Sequence, residues 1–152
     1  MSGLRMEHGA WVMVGDGEKA LFLRNEGDAD YPNLQVLNVW TQDNPKTADQ
    51  GVDRPGRTHA STGEHRSAVQ QTDWHRLEKH LFAGRIAGAL YEAAHRQAFS
   101  QLVIAAPPVI LGELRKALHK EVADKVVAEI AKDFTHMPSH EIEKALMGSA
   151  AA

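Results

Sequence analysis

The chain has 152 residues, 43% hydrophobic and 24% charged, and a net charge of −3, which suits one domain with a proper core and not two. With no cysteine, disulfides, thiolate-held metals, iron–sulfur clusters and a thiol nucleophile are excluded. No run approaches the roughly 18 apolar residues of a membrane span. The opening MSGLRMEHGA lacks the apolar centre of a secretory leader, so a cytoplasmic protein with no membrane partner is expected. The negative balance argues against general coating of nucleic acid and leaves room for a local basic site.

Residues 1–9 read as a flexible tail and 10–147 as a single α/β domain. AWVMVG (residues 10–15) is an apolar run suited to a strand buried on both faces. Asp16-Gly17 follows, a tight-hairpin dipeptide where both central residues need positive φ, and KALFLRNE is the return strand. NLQVLNVWTQ predicts a third strand, with Leu34, Val36, Asn38 and Trp40 on one face and Gln35, Leu37, Val39 and Thr41 on the other. Trp11 and Trp40 read as sheet packing. Residues 43–72 then form a polar connection, far longer than the roughly 12–15 residues usual for structureless links in compact domains.

A long helix comes next, capped by Thr72 or Asp73, with Trp74, Leu77, Leu81, Ile86, Leu90 and Ala93 at helical spacing. Gly84 and Gly88 each weaken it by about 1 kcal/mol relative to alanine, so a close approach to the sheet is expected there. QLVIAAPP predicts a buried strand, and Pro108 opens a helix through VILGELRKALHKEV. DKVVAEIAKDFT suits helix or strand. The strand is preferred, because a strand–helix–strand unit needs its second parallel strand. Ser139 can cap a last helix, HEIEKALMG, and residues 148–152 read as a frayed tail. The expected order is β-β-β-α-β-α-β-α, one mixed sheet of about five strands with helices on its faces.

Within the long connection, RPGRTHASTGEHRSAV (residues 54–69) carries Arg54, Arg57 and Arg66 against Glu64, with His59 and His65 titrating near neutrality. Such a segment is either a solvated loop or a contact for phosphate or an acidic partner. In the second case its arginines clamp oxygens and its glycines, Gly63 among them, let the backbone approach. The ligand-binding candidates are therefore Arg54, Arg57, His59, Gly63, Glu64, His65 and Arg66, with His75 at the start of the helix. Arg115, Lys116, His119 and Lys120 form a second basic group, part of which complements a helix C-terminus. The histidines show no ligand spacing: His75 and His80 lie about 140° apart on a helix. No metal is expected among them. No cofactor is expected either, since P-loop, dinucleotide and nucleophile-elbow motifs are all missing.

Three stretches together, WVMVGDGEKALFL, RPGRTHASTGEHRSAV…DWHRLEKHLFAGRIAGAL and LVIAAPPVILGELRKALHKEV…VVAEIAKDFTHMPSHEIEKAL, carry a resemblance. Over residues 10–147 the chain resembles the bacterial host attachment protein family, required for attachment to host cells. That family is in turn related to the middle domain of archaeal and eukaryotic class-1 peptide release factors. The relation implies a ribonuclease-H-like mixed sheet. It also implies that the connection before the long helix occupies the slot where release factors carry the Gly-Gly-Gln tip that enters the peptidyl-transferase centre. This chain has Thr62-Gly63-Glu64 there, a charge in place of a neutral amide, so peptidyl-tRNA hydrolysis is not expected. The expectation is a binding domain without catalysis, reaching RNA or a ribonucleoprotein through residues 54–69, with an indirect role in attachment.

Two rivals stay open, a protein–protein module and a metal-dependent hydrolase or nuclease. Asp16 is explained by turn chemistry. Yet it stands at the carboxyl end of the first strand, where α/β sheets commonly bind ligands, and Asp133 follows the fifth strand on the same edge. These two are the catalytic candidates, resembling the paired acids of ribonuclease-H-fold nucleases. Those folds also place an acid within the first strand, where this chain has Val12, Met13 and Val14.

Overall fold

In the computed structural model, which describes residues 4–41 and 68–151, the first apolar run is the pivot of the sheet. β1 (Trp11–Gly15) pairs antiparallel with β2 (Lys19–Asn25) and parallel with β4 (Leu102–Ala105). β3 (Leu34–Thr41) lies antiparallel outside β2, and β5 (Val126–Ile130) parallel outside β4, in the order β3-β2-β1-β4-β5. The mixed five-stranded α/β domain expected from the sequence is present, including β5 as a strand.

Strand alternation divides the core into two clusters. Met13, Phe22, Leu102 and Ile104 pack under α1 (Ala68–His95), α2 (Pro108–Ala117) and the single turn α3 (Lys120–Ala123). Val12, Val14, Leu23 and Val103 pack against Ile142 and Leu146 of α4 (Ser139–Ala151). Both faces of β1 and β4 are covered, which is why their sequences are continuous apolar runs.

The third strand departs from simple alternation. Leu23 pairs with Val36 and Phe22 with Asn38, so Leu37 is an extra residue, a β-bulge. The bulge switches faces: Leu34 joins the α4-side cluster, whereas Trp40 packs against the α1-side cluster. Leu34, Val36, Asn38 and Trp40 therefore do not share a face.

The first hairpin also differs. Among the described residues only Gly9 and Gln97 have positive φ, so Asp16-Gly17 is not a tight turn of the expected kind. Asp16 Oδ1 instead accepts the N–H groups of Glu18 and Lys19, both at 2.7 Å, and its side chain builds the turn.

Helix α1 begins at Ala68, which places Thr72 and Asp73 inside it and not at its cap, and shortens the connection to residues 42–67. Its core face is Phe82, Ile86, Leu90 and Ala93; Leu77 and Leu81 are exposed. Gly84 and Gly88 lie on the outer side, with nothing among the described residues within 4 Å of where a Cβ would stand, so no close approach to the sheet accounts for them. The helix expected through residue 122 breaks at Leu118, which is extended (φ −67°, ψ 132°). His119 starts the new turn by accepting the Glu121 N–H on Nδ1 (3.0 Å).

In the last helix Pro138 O takes the first helical N–H bonds, so Ser139 is the first helical residue and not its cap. The helix runs on to Ala151. At the other terminus the chain is held from Leu4 onward: Met6 is wholly buried in the α4-side cluster.

Candidate functional site

Two chain segments meet at the carboxyl ends of the parallel strands. β1 delivers Asp16, whose Oδ1 is committed to the turn, and this leaves Oδ2 free to face the neighbouring loop. Three residues beyond β5, Asp133 Oδ1 accepts both the backbone N–H (2.8 Å) and the hydroxyl (2.6 Å) of Thr135. Thr135, only 2% exposed, also places its Oγ1 3.1 Å from Asp16 Oδ2. One hydroxyl has one proton, so two carboxylates converge on a group that can donate to only one of them. No lysine or arginine among the described residues forms an ion pair with either acid.

His136 completes the corner: one ligand atom each from Asp16, Asp133 and His136 lie within 4.8 Å of one another. Two hard carboxylate oxygens and an imidazole nitrogen suit manganese, iron or zinc better than a soft-ligand metal. A cation there could sit between the acids and take a water or phosphate oxygen on its open side. The sequence reading placed Asp16 and Asp133 on one edge and missed Thr135 and His136. The signal was in D-F-T-H, an acid, a hydroxyl and an imidazole within four residues after the last strand.

The other sequence candidates fall elsewhere. Arg54, Arg57, His59, Gly63, Glu64, His65 and Arg66 lie outside the described residues, as does the side chain of His75 in α1. The second basic group is divided by the break at Leu118 and largely neutralised. Arg115 binds Glu129 (2.6 Å), Lys116 approaches Glu113 (3.9 Å) and Lys120 pairs with Asp124 (3.0 Å). His119 caps α3 and packs its ring 4.4 Å from that of Tyr91. His80 donates to Glu113 at 2.9 Å, and this hydrogen bond, with Lys116 adding to it, holds the Glu113 carboxyl below its ordinary range.

The chain matches bacterial archaeo-eukaryotic release factor family 12 over residues 9–146, and it belongs to that family. A comparison with curated proteins found no match. Among the described residues no helix is long and apolar enough to cross a membrane.

Proposed function

We propose that the protein is a non-enzymatic binding domain for RNA or a ribosome-associated particle, and that residues 54–69 make the contact. Membership of a release-factor family is the observation that carries this reading. Supporting it, residues 42–67 join β3 to α1, the connection that corresponds by resemblance to the release-factor tip. Arg54, Arg57 and Arg66 supply the cations that phosphate needs, and Thr62-Gly63-Glu64 argues for binding without release chemistry. A role in host attachment, as the resemblance implies, follows indirectly from that binding, in the cytoplasm. The test is RNA affinity against salt. Each phosphate contact on a single strand adds roughly 0.7 to the log–log slope, so replacing the three arginines by alanine should flatten it by about two. An unchanged slope, or no RNA binding by the wild type, removes RNA and leaves a protein partner.

A second reading, a metal-dependent hydrolase, is favoured by the convergence of Asp16, Asp133 and His136. Manganese binding that disappears in Asp16→Asn supports it. Protein that takes up no manganese removes it.

A further inference from the structure

The bulge at Leu37 opens a second concavity, on the opposite face of β3 from Leu34. By turning Asn38 and Trp40 toward α1, it builds one wall of a cleft of about 390 Å3 between that helix and the β1–β2–β3 side of the sheet. The helix wall is Ala89 and Ala93, one turn apart and too short to fill the space over Trp11 and Phe22. The volume is at the lower end of the roughly 300–1,000 Å3 of ligand pockets, enough for a ring system and not for a long chain.

Three aromatic rings form the floor. Trp11 and Trp40 each pack edge-on against Phe22, with centroids at 6.5 and 5.2 Å, and so stand fixed. Arg85 lies over Trp40, 5.3 Å from its centroid. The rim is polar. Glu92 and Arg96 are one helical turn apart and both exposed, and neither side chain pairs with another described residue. Asn38 Oδ1 accepts the Val39 N–H (2.9 Å), which leaves its amide N–H groups available.

An aliphatic chain or a plain phenyl ring would fill the floor and leave this carboxylate and guanidinium unused. A flat ring with acceptors and donors around its edge uses both. We infer that the cleft binds a purine base, stacked against the aromatic floor, with Arg96 donating to its ring-nitrogen or carbonyl acceptors and Glu92 accepting its N–H groups. The inference draws on the RNA reading for one possible source of the base, an unpaired nucleotide of a strand. A free nucleotide is the other source.

The experiment titrates guanosine monophosphate, and separately a six-residue purine oligoribonucleotide, into the full chain. Tryptophan fluorescence and backbone amide NMR shifts are followed, with uridine monophosphate as the pyrimidine control. Saturable binding is expected to move the amides of Trp11, Asn38 and Ala93, with the purine preferred. Glu92→Gln and Arg96→Gln should each weaken it about tenfold, and Ala89→Leu, which fills the cleft from its partly exposed wall, should abolish it. Binding of the mononucleotide identifies a free nucleotide as sufficient; binding of the oligonucleotide alone identifies a strand. Binding of neither, or binding indifferent to all three variants, overturns the inference even where arginine-dependent RNA binding stands. Conversely, purine binding that persists in the Arg54, Arg57 and Arg66 triple variant, with no salt-dependent RNA binding, keeps the cleft and removes the RNA reading.

Discussion

Two polar corners lie at opposite ends of the same sheet, and they are built on opposite principles. At the end of β2, Asn25 is wholly buried and every group of its amide is engaged. Nδ2 donates to the Met6 carbonyl at 2.8 Å, and Oδ1 accepts the N–H groups of Gly27 and Asn33, both at 2.9 Å. That one side chain ties the N-terminal segment, the end of β2 and the following loop together. Gly27 belongs to the same construction, because a Cβ there would stand 2.1 Å from the Tyr31 carbonyl oxygen. At the other end, Asp16 and Asp133 share a single hydroxyl, and neither forms an ion pair with a lysine or arginine among the described residues. The first corner satisfies its polar groups internally, as a structural device must. The second leaves two carboxylates competing for one proton, the arrangement on which the metal reading rests.

Mutations at the two ends should therefore behave differently. Asn25→Ala strands the part-buried N–H groups of Gly27 and Asn33 and the buried Met6 carbonyl, at about 1–3 kcal/mol each at most. A loss of roughly 3 kcal/mol by denaturant unfolding is expected, and a loss below about 1 kcal/mol would erase the contrast. At the acid corner, Asp16→Asn keeps an oxygen for the turn, so stability without metal should change by under about 1 kcal/mol. On the metal reading, manganese at a hundred times its dissociation constant stabilises the wild type by about 2.7 kcal/mol, and this increment vanishes in Asp16→Asn. A calorimetric scan with and without manganese measures both.

Away from either corner, Gly84→Ala and Gly88→Ala set the scale for sites that serve neither purpose. Each should raise stability by about 0.5–1 kcal/mol, since both lie on the outer side of α1 with room for a methyl group. A destabilisation there would show that this side of the helix is covered by something. The smallest effect belongs to Glu113. Its carboxyl titrates below the ordinary range because His80 donates to it. A depressed folded-state value means stability that is present above the usual carboxylate range and lost as pH falls through the lowered value. His80→Ala should return the Glu113 titration toward the ordinary range by NMR, and an unmoved titration would assign the shift to Lys116.

The sheet was legible because its information is local and repetitive. AWVMVG and QLVIAA suit strands covered on both faces, and DKVVAEIAK, which fits helix or strand, is preferred as the second parallel strand. What alternation could not show was the extra residue at Leu37, since a bulge is set by pairing with β2 and leaves no mark in the strand's own pattern. The helix face was misjudged for a related reason: Leu77 and Leu81 fit the period, but among the described residues both are about half exposed while Phe82, Ala83 and Ile86 are the ones buried. At the acid corner the sequence places Asp16 and Asp133 on one edge, and both carboxylates meet Thr135 there. The role of Thr135 depended on a contact 119 residues apart in the chain, and no spacing rule reaches that far.

The bulge also bears on how the molecule avoids its own copies. β3 is the outermost strand on its side among the described residues, and Val36, Leu37 and Val39 are nearly half exposed along it. A flat apolar edge of this kind invites another strand to add to it, the first step of sheet-to-sheet aggregation. Here the invitation is interrupted twice. Glu143 on α4 already takes the Leu34 N–H at 3.0 Å, occupying the first donor of the strand. Three residues on, the bulge twists the backbone out of register, so an incoming strand meets no long uninterrupted row of donors and acceptors. Deleting Leu37 would straighten the strand and remove that safeguard, leaving a protein that folds yet is prone to pair edge to edge.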